Sequence, residues 1–108
     1  MGNGTATSGS VSIVAKDSTV SQNAASGFVV FSSGAPSDMM VHSSVAFRNN
    51  NGIAANGVGA ILRFANTAVT RNNTLGAKQV NPGSVLSYGN NSINGNTTDG
   101  TFGTVALQ

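Results

Sequence analysis

Cysteine, tryptophan and glutamate are absent from this 108-residue chain, which carries three aspartates and a single histidine. Without cysteine there is no disulfide scaffold and no thiolate metal site. His42 and the separated Asp17, Asp38 and Asp99 are scant material for a metal-dependent hydrolase or a histidine-based triad. No catalytic, cofactor-binding or metal-ligating residue is therefore assigned, and the chain is expected not to be an enzyme. Charge is scarce as well. Five lysines and arginines give a net charge of +2, but no two of them adjoin. A nucleic-acid groove needs a run or stripe of such residues, so nucleic acid is not an expected partner. Long apolar runs are missing too. Residues 1–10, MGNGTATSGS, match neither a signal peptide nor a useful lipid-anchor pattern, and no membrane insertion is expected.

Small polar residues fill the space. Gly, Asn, Ser and Thr together make 52 of the 108 residues. Such a composition can belong to a disordered, prion-like chain. Against that, Leu, Ile, Val and Phe number 25, more than disordered chains of high net charge usually hold. Twelve of them are Val, whose branched Cβ suits a pleated surface. Outside residues 10–22 and 35–48, Gly or Asn interrupts every window long enough for three helical turns. The composition predicts an all-β fold.

A repeat organises it. Four ten-residue blocks align without a gap: STVSQNAASG ending at Gly27, SSVAFRNNNG at Gly52, TAVTRNNTLG at Gly76 and NSINGNTTDG at Gly100. Their third residues are Val20, Val45, Val69 and Ile93, one every 24–25 residues. Chance agreement at both the aliphatic and the Gly columns is about 10⁻⁷ before correcting for the choice of register. Other columns follow the same spacing: Ala15, Met40, Phe64, Tyr88; Ile13, Asp38, Leu62, Leu86, with Asp38 the exception; and Asn23, Arg48, Asn72, Asn96. The blocks open on Ser18, Ser43, Thr67 and Asn91. A period near 24 fits one coil of a solenoid built from short strands and turns. Stacked in parallel, equivalent residues lie ~4.8 Å apart, so Val20, Val45, Val69 and Ile93 are expected to line the bore. Asn is expected in turns, bonding its own backbone or the next Asn in a ladder, which Arg48 should interrupt. The Gly column marks either a positive φ or an approach too close for a Cβ.

The segments NNSINGNTTDG, SSVAFRNNNGI and STVSQNAASGF resemble coils of right-handed parallel β-helix proteins, the pectate-lyase-like solenoids. The resemblance covers residues 11–108 and implies about four coils of 24–25 residues. It fits a short member or C-terminal fragment, secreted or at a cell surface, and it names no activity, because that family joins lyases, hydrolases, tailspikes and adhesins. Residues 1–10 are expected to be a flexible tail or linker, and residues 11–108 a single β-helix domain. Between Phe28 and Met40 an extra residue and SSGAPSD suggest a turn bulging at Pro36. Asn81-Pro82-Gly83 reads as another turn, and residues 101–107 as a final strand over the C-terminal end.

The candidate sites are modest. The three Asp fall at different offsets from their coil aliphatics and so do not share one face, as a glycosidase would require. His42 beside Ser43 and Ser44 invites a base–nucleophile reading, but a surface His beside routine coil residues is the simpler one. Arg48, Arg63 and Arg71 are candidates to grip an anionic sugar or phosphate, although solvated walls carry such residues routinely. Tyr88 and Phe64 share a column and suggest interior aromatic stacking rather than a sugar platform. Three functions follow: a non-catalytic structural or surface module, adhesive or carbohydrate-contacting; a small or remnant polysaccharide lyase or hydrolase; and a self-assembling solenoid. Self-association is expected through an uncapped coil end, with polysaccharide as a further partner.

Overall fold

Short Val-rich runs broken every few residues by Asn, Gly or Ser give short strands and tight corners. The computed structural model describes residues 2–4, 11–32, 36–80 and 83–104. Among these there is no helix, and the strands are β1 (Gly2–Gly4), β2 (Val11–Lys16), β3 (Thr19–Ser21), β4 (Ser26–Ser32), β5 (Ser37–His42), β6 (Val45–Phe47) and β7 (Asn51–Asn56). They continue as β8 (Ala60–Ala65), β9 (Ala68–Thr70), β10 (Leu75–Val80), β11 (Ser84–Ser87), β12 (Ser92–Asn94), β13 (Thr98–Gly100) and β14 (Gly103–Thr104).

Every pairing is parallel, and the strands form three walls. Wall one is β2-β5-β8-β11-β14, wall two β3-β6-β9-β12 and wall three β1-β4-β7-β10-β13. The chain visits one, two and three in turn and then repeats, which makes a parallel β-solenoid of about four coils. Gly2–Gly4, in the segment whose composition suggests a tail, pair with Val30–Ser32 on wall three. The stretches at Pro36 and at Asn81–Gly83 lie partly, and the end of the expected final strand wholly, outside the described residues. Beside the second of these, the Gly83 N–H donates to the Val80 carbonyl at 2.6 Å.

Strand alternation sends every second side chain inward. Met39, Leu62 and Val85 stack in wall one beside Val41 and Phe64, while Ile53 and Ala77 line wall three, all buried. Each large side chain so buried contributes about 1.5–3 kcal/mol. Phe102, half-buried at the C-terminal end of this core, meets Phe64 edge-to-face at 6.3 Å.

The bore column of wall two corrects the sequence alignment. It runs Val20, Ala46, Val69, Ile93, with Val45 turned outward. The same one-residue shift places Met39 and Val41, not Asp38 and Met40, inside the second coil. In the fourth coil the shift runs the other way: Val85 and Ser87 point inward where the gapless alignment places Leu86 and Tyr88. Coil length varies at the corners, and a gapless period averages over that variation.

Hydrogen bonds pin the true register. Asn23 Nδ2 donates to Asn49 Oδ1 at 2.8 Å, Asn49 N–H to Asn72 Oδ1 at 3.0 Å, and Asn72 Nδ2 to Asn96 Oδ1 at 2.7 Å. The separations are 26, 23 and 24 residues, so the ladder is continuous, because Asn49 rather than Arg48 occupies the second coil. Each of the last three amides also donates to the bore residue of the coil before, Asn49 to Val20 O, Asn72 to Ala46 O and Asn96 to Val69 O. The Gly column is Gly27, Gly52, Gly76 and then Asp99, since Gly100 pairs with Ala77. Close approach, not positive φ, requires these glycines: a Cβ on Gly27 or Gly76 would sit 2.7 Å from the ladder amide of the next coil.

Among the described residues positive φ falls instead in two corner columns and at Gly57, Gly59 and Gly100. Between walls one and two stand Asp17, Ser43, Asn66 and Gly89, with φ of 51°, 51°, 47° and 90°. Between walls two and three stand Gln22, Arg48, Arg71 and Gly95, with φ of 59°, 57°, 56° and 69°. One left-handed residue at each of these two corners turns the chain onto the next wall.

Candidate functional site

The outward columns separate the walls chemically. Wall two presents Thr19, Ser21, Ala68, Thr70, Ser92 and Asn94, with Val45 and Phe47 as its larger members. Wall three presents Val29, Ala54 and Lys78 along its middle column. Wall one is different. Its outward columns run Ser12, Asp38, Ile61, Ser84; then Val14, Met40, Arg63, Leu86; then Lys16, His42, Ala65. Tyr88 continues the last of these, its N–H bonded to Phe64 O at 3.2 Å. Both charge signs and exposed apolar carbons therefore share one surface, and Val14 is 73 % exposed there.

Tyr88 is thereby separated from Phe64. Phe64 is fully buried, while Tyr88 lies half-buried on the outer side of wall one, so the expected interior stack does not form. The added residue Asn90 explains the displacement: Ser87 pairs with Phe64 and Ser92 with Ala68, leaving one more residue at this corner than in the third coil.

The corner between walls one and two carries a shallow cleft of about 290 Å³, lined by Ser43, Val45, Asn66, Ala68, Asn90 and Ser92 among others. Ser43 Oγ lies 2.8 Å from His42 Nδ1 and accepts from Asn66 Nδ2 at 3.2 Å. The pair is in contact, but Asp38, the carboxylate on wall one, is two strand positions from Met40 and four from His42, so it does not complete a triad. The left-handed φ of Ser43 follows from its corner, since Asp17 and Asn66 share it. Ser44, not Ser43, takes the buried place beside Thr67, its hydroxyl donating to His42 O at 2.8 Å.

The carboxylates are dispersed: Asp17 at a corner, Asp38 on wall one, and Asp99 in the Gly column of wall three, where its Oδ1 accepts from Asn96 at 3.1 Å. Among the described residues no three His, Cys, Asp or Glu gather as a metal would need, and no helix is long and apolar enough to cross a membrane. The arginines divide as well. Arg63 belongs to wall one, whereas Arg48 and Arg71 stack at the corner between walls two and three. Spacing alone does not reveal that pairing, because the gapless alignment puts Arg48 opposite Asn72.

Compared with known proteins, the chain matches no family model, no curated protein and no solved structure. Its fold is that of a parallel β-solenoid of about four turns.

Proposed function

We propose that the chain is a non-catalytic β-solenoid surface module, adhesive in role, that holds a saccharide chain against wall one. The observation that carries this reading is the composition of that wall's outward columns. Tyr88, Leu86, Met40 and Val14 offer apolar surface to sugar C–H faces, while Lys16, Asp38, His42 and Arg63 offer hydrogen bonds beside it. A flat wall of parallel strands holds these groups at fixed spacing, which limits the ordering that binding demands. The dispersal of Asp17, Asp38 and Asp99 over three sites supports binding without turnover, since glycosidic hydrolysis needs two carboxylates flanking one bond. The resemblance of the coils to pectate-lyase-like solenoids supports a secreted or cell-surface setting.

Glycan-array screening followed by titration tests the proposal. Tyr88→Ala is expected to weaken the best saccharide at least about fivefold, and Lys78→Ala, on another wall, to leave it unchanged. Equal binding by both variants overturns the reading. Turnover of a uronate polymer, with or without calcium, that is abolished by Asp38→Ala replaces it with the polysaccharide-lyase alternative.

Self-association is a second reading with its own support. Wall three starts one layer early with β1 and wall one ends one layer late with β14. Among the described residues β3 and β12 each pair on one side only. Light scattering that shows a strict monomer from micromolar to millimolar concentration excludes it.

A further inference from the structure

The corner between walls two and three carries side chains that the turn itself does not require. A residue at positive φ crowds its own Cβ, and glycine relieves that strain, as Gly95 does in the fourth coil. Asn or Asp would also tolerate the position. The second and third coils place arginine there instead, Arg48 at φ 57° and Arg71 at φ 56°. The two are direct neighbours, because the Arg48 N–H donates to the Arg71 carbonyl at 3.2 Å. Their side chains therefore leave backbones spaced ~4.8 Å apart.

Both arginines are exposed, and neither makes an ion pair among the described residues. Arg48 lies over the Phe47 ring at 6.0 Å, which orients its guanidinium without neutralising it. Asp99, the carboxylate in the adjoining Gly column, is bonded to Asn96. Backbone strain and like-charge repulsion thus act together on two adjacent coils, and a bound anion relieves the second. Each guanidinium presents five N–H donors in a planar fork. A carboxylate fills one fork with its two oxygens. A tetrahedral ester offers three terminal oxygens, enough to bridge two.

We infer that Arg48 and Arg71 form a clamp for a phosphate or sulfate monoester, at a place distinct from wall one. Calorimetric titration with glucose 6-phosphate, glucose 6-sulfate and glucuronate tests it. Saturable one-to-one binding of at least one ester is expected, with glucuronate weaker, and the tighter ester identifies the source of the oxyanion. The double variant Arg48→Gln/Arg71→Gln keeps a residue the corner already accommodates in Gln22, and should weaken the ester at least about tenfold. Arg48→Gly/Arg71→Gly, which copies the corner of the fourth coil at Gly95, gives the same readout if the first variant fails to fold. Lys78→Gln controls for net charge and is expected to leave binding unchanged. The clamp is overturned by the absence of saturable binding, by unchanged affinity in the arginine variants, by an equal loss in Lys78→Gln, or by glucuronate binding as tightly as the esters.

Discussion

Asn72 and Asn51 are both buried, and the structure gives them opposite energetic signs. Asn72 is 2 % exposed, accepts from the Asn49 N–H and donates to Ala46 O and Asn96 Oδ1. Truncating it leaves a buried N–H and a buried carbonyl without a partner, each worth about 1–3 kcal/mol. Asn72→Ala should therefore destabilise the fold by about 2–5 kcal/mol in urea unfolding, and a loss under about 1 kcal/mol would refute the ladder's role. Asn51 buries an Oδ1 that finds no partner among the described residues. Its column neighbours are Ser26 and Leu75. Asn51→Leu keeps the branched heavy-atom outline of the side chain and removes the orphan acceptor, so it should raise stability by about 1 kcal/mol in the same assay. Destabilisation there would mean that the carbonyl is satisfied by solvent.

Two glycines of the corners and coils separate steric crowding from backbone conformation. A Cβ on Gly52 would fall 2.7 Å from both Asn72 Nδ2 and Gly76 O, with backbone that cannot retreat. Gly89 has φ of 90°, but a methyl placed on its Cα would meet nothing within 4 Å. Gly52→Ala is expected to cost about 3 kcal/mol or more through displaced ladder bonds, and Gly89→Ala about 1–2 kcal/mol through φ alone. Thermal melts of the two variants check the order, and the reverse order would show that the strand-to-strand approach is softer than its geometry implies. Legibility in the sequence divides along the same line. The aliphatic and Gly columns announce stacked coils because burial and close packing repeat at every layer. The corner that takes Arg48 does not show itself, because Asn49 to Gly52 spans three residues where Asn23 to Gly27 spans four, and a gapless alignment absorbs that difference by slipping one place. On a strand one place exchanges the two faces. This is why spacing alone turns Val45 and Met40 inward, as the added Asn90 does for Tyr88, and why wall one emerges only from the hydrogen-bond register.

Across the whole molecule, stability follows from stacking, since each coil touches only its neighbours. The fully buried large side chains, Val30, Met39, Val41, Ile53, Leu62, Phe64, Val69 and Val85, all lie between β4 and β11. Ile13, Ala15 and Val20 in the first coil, and Ile93 and Phe102 toward the other end, are only partly buried. An array with nearest-neighbour coupling opens first where one neighbour is missing. Hydrogen exchange should therefore be slowest for the amides of β7, β8 and β9 and faster in β3 and β12, which pair on one side only. Phe64→Ala tests how far the coupling reaches: it empties the centre of the core and releases the edge of Phe102. A loss of about 3–5 kcal/mol is expected, with protection falling in β7–β9 and at Phe102 together. Were exchange at β12 to stay slow while β8 opened, the coils would be independent units, and the continuous Asn ladder would not be transmitting stability along the solenoid.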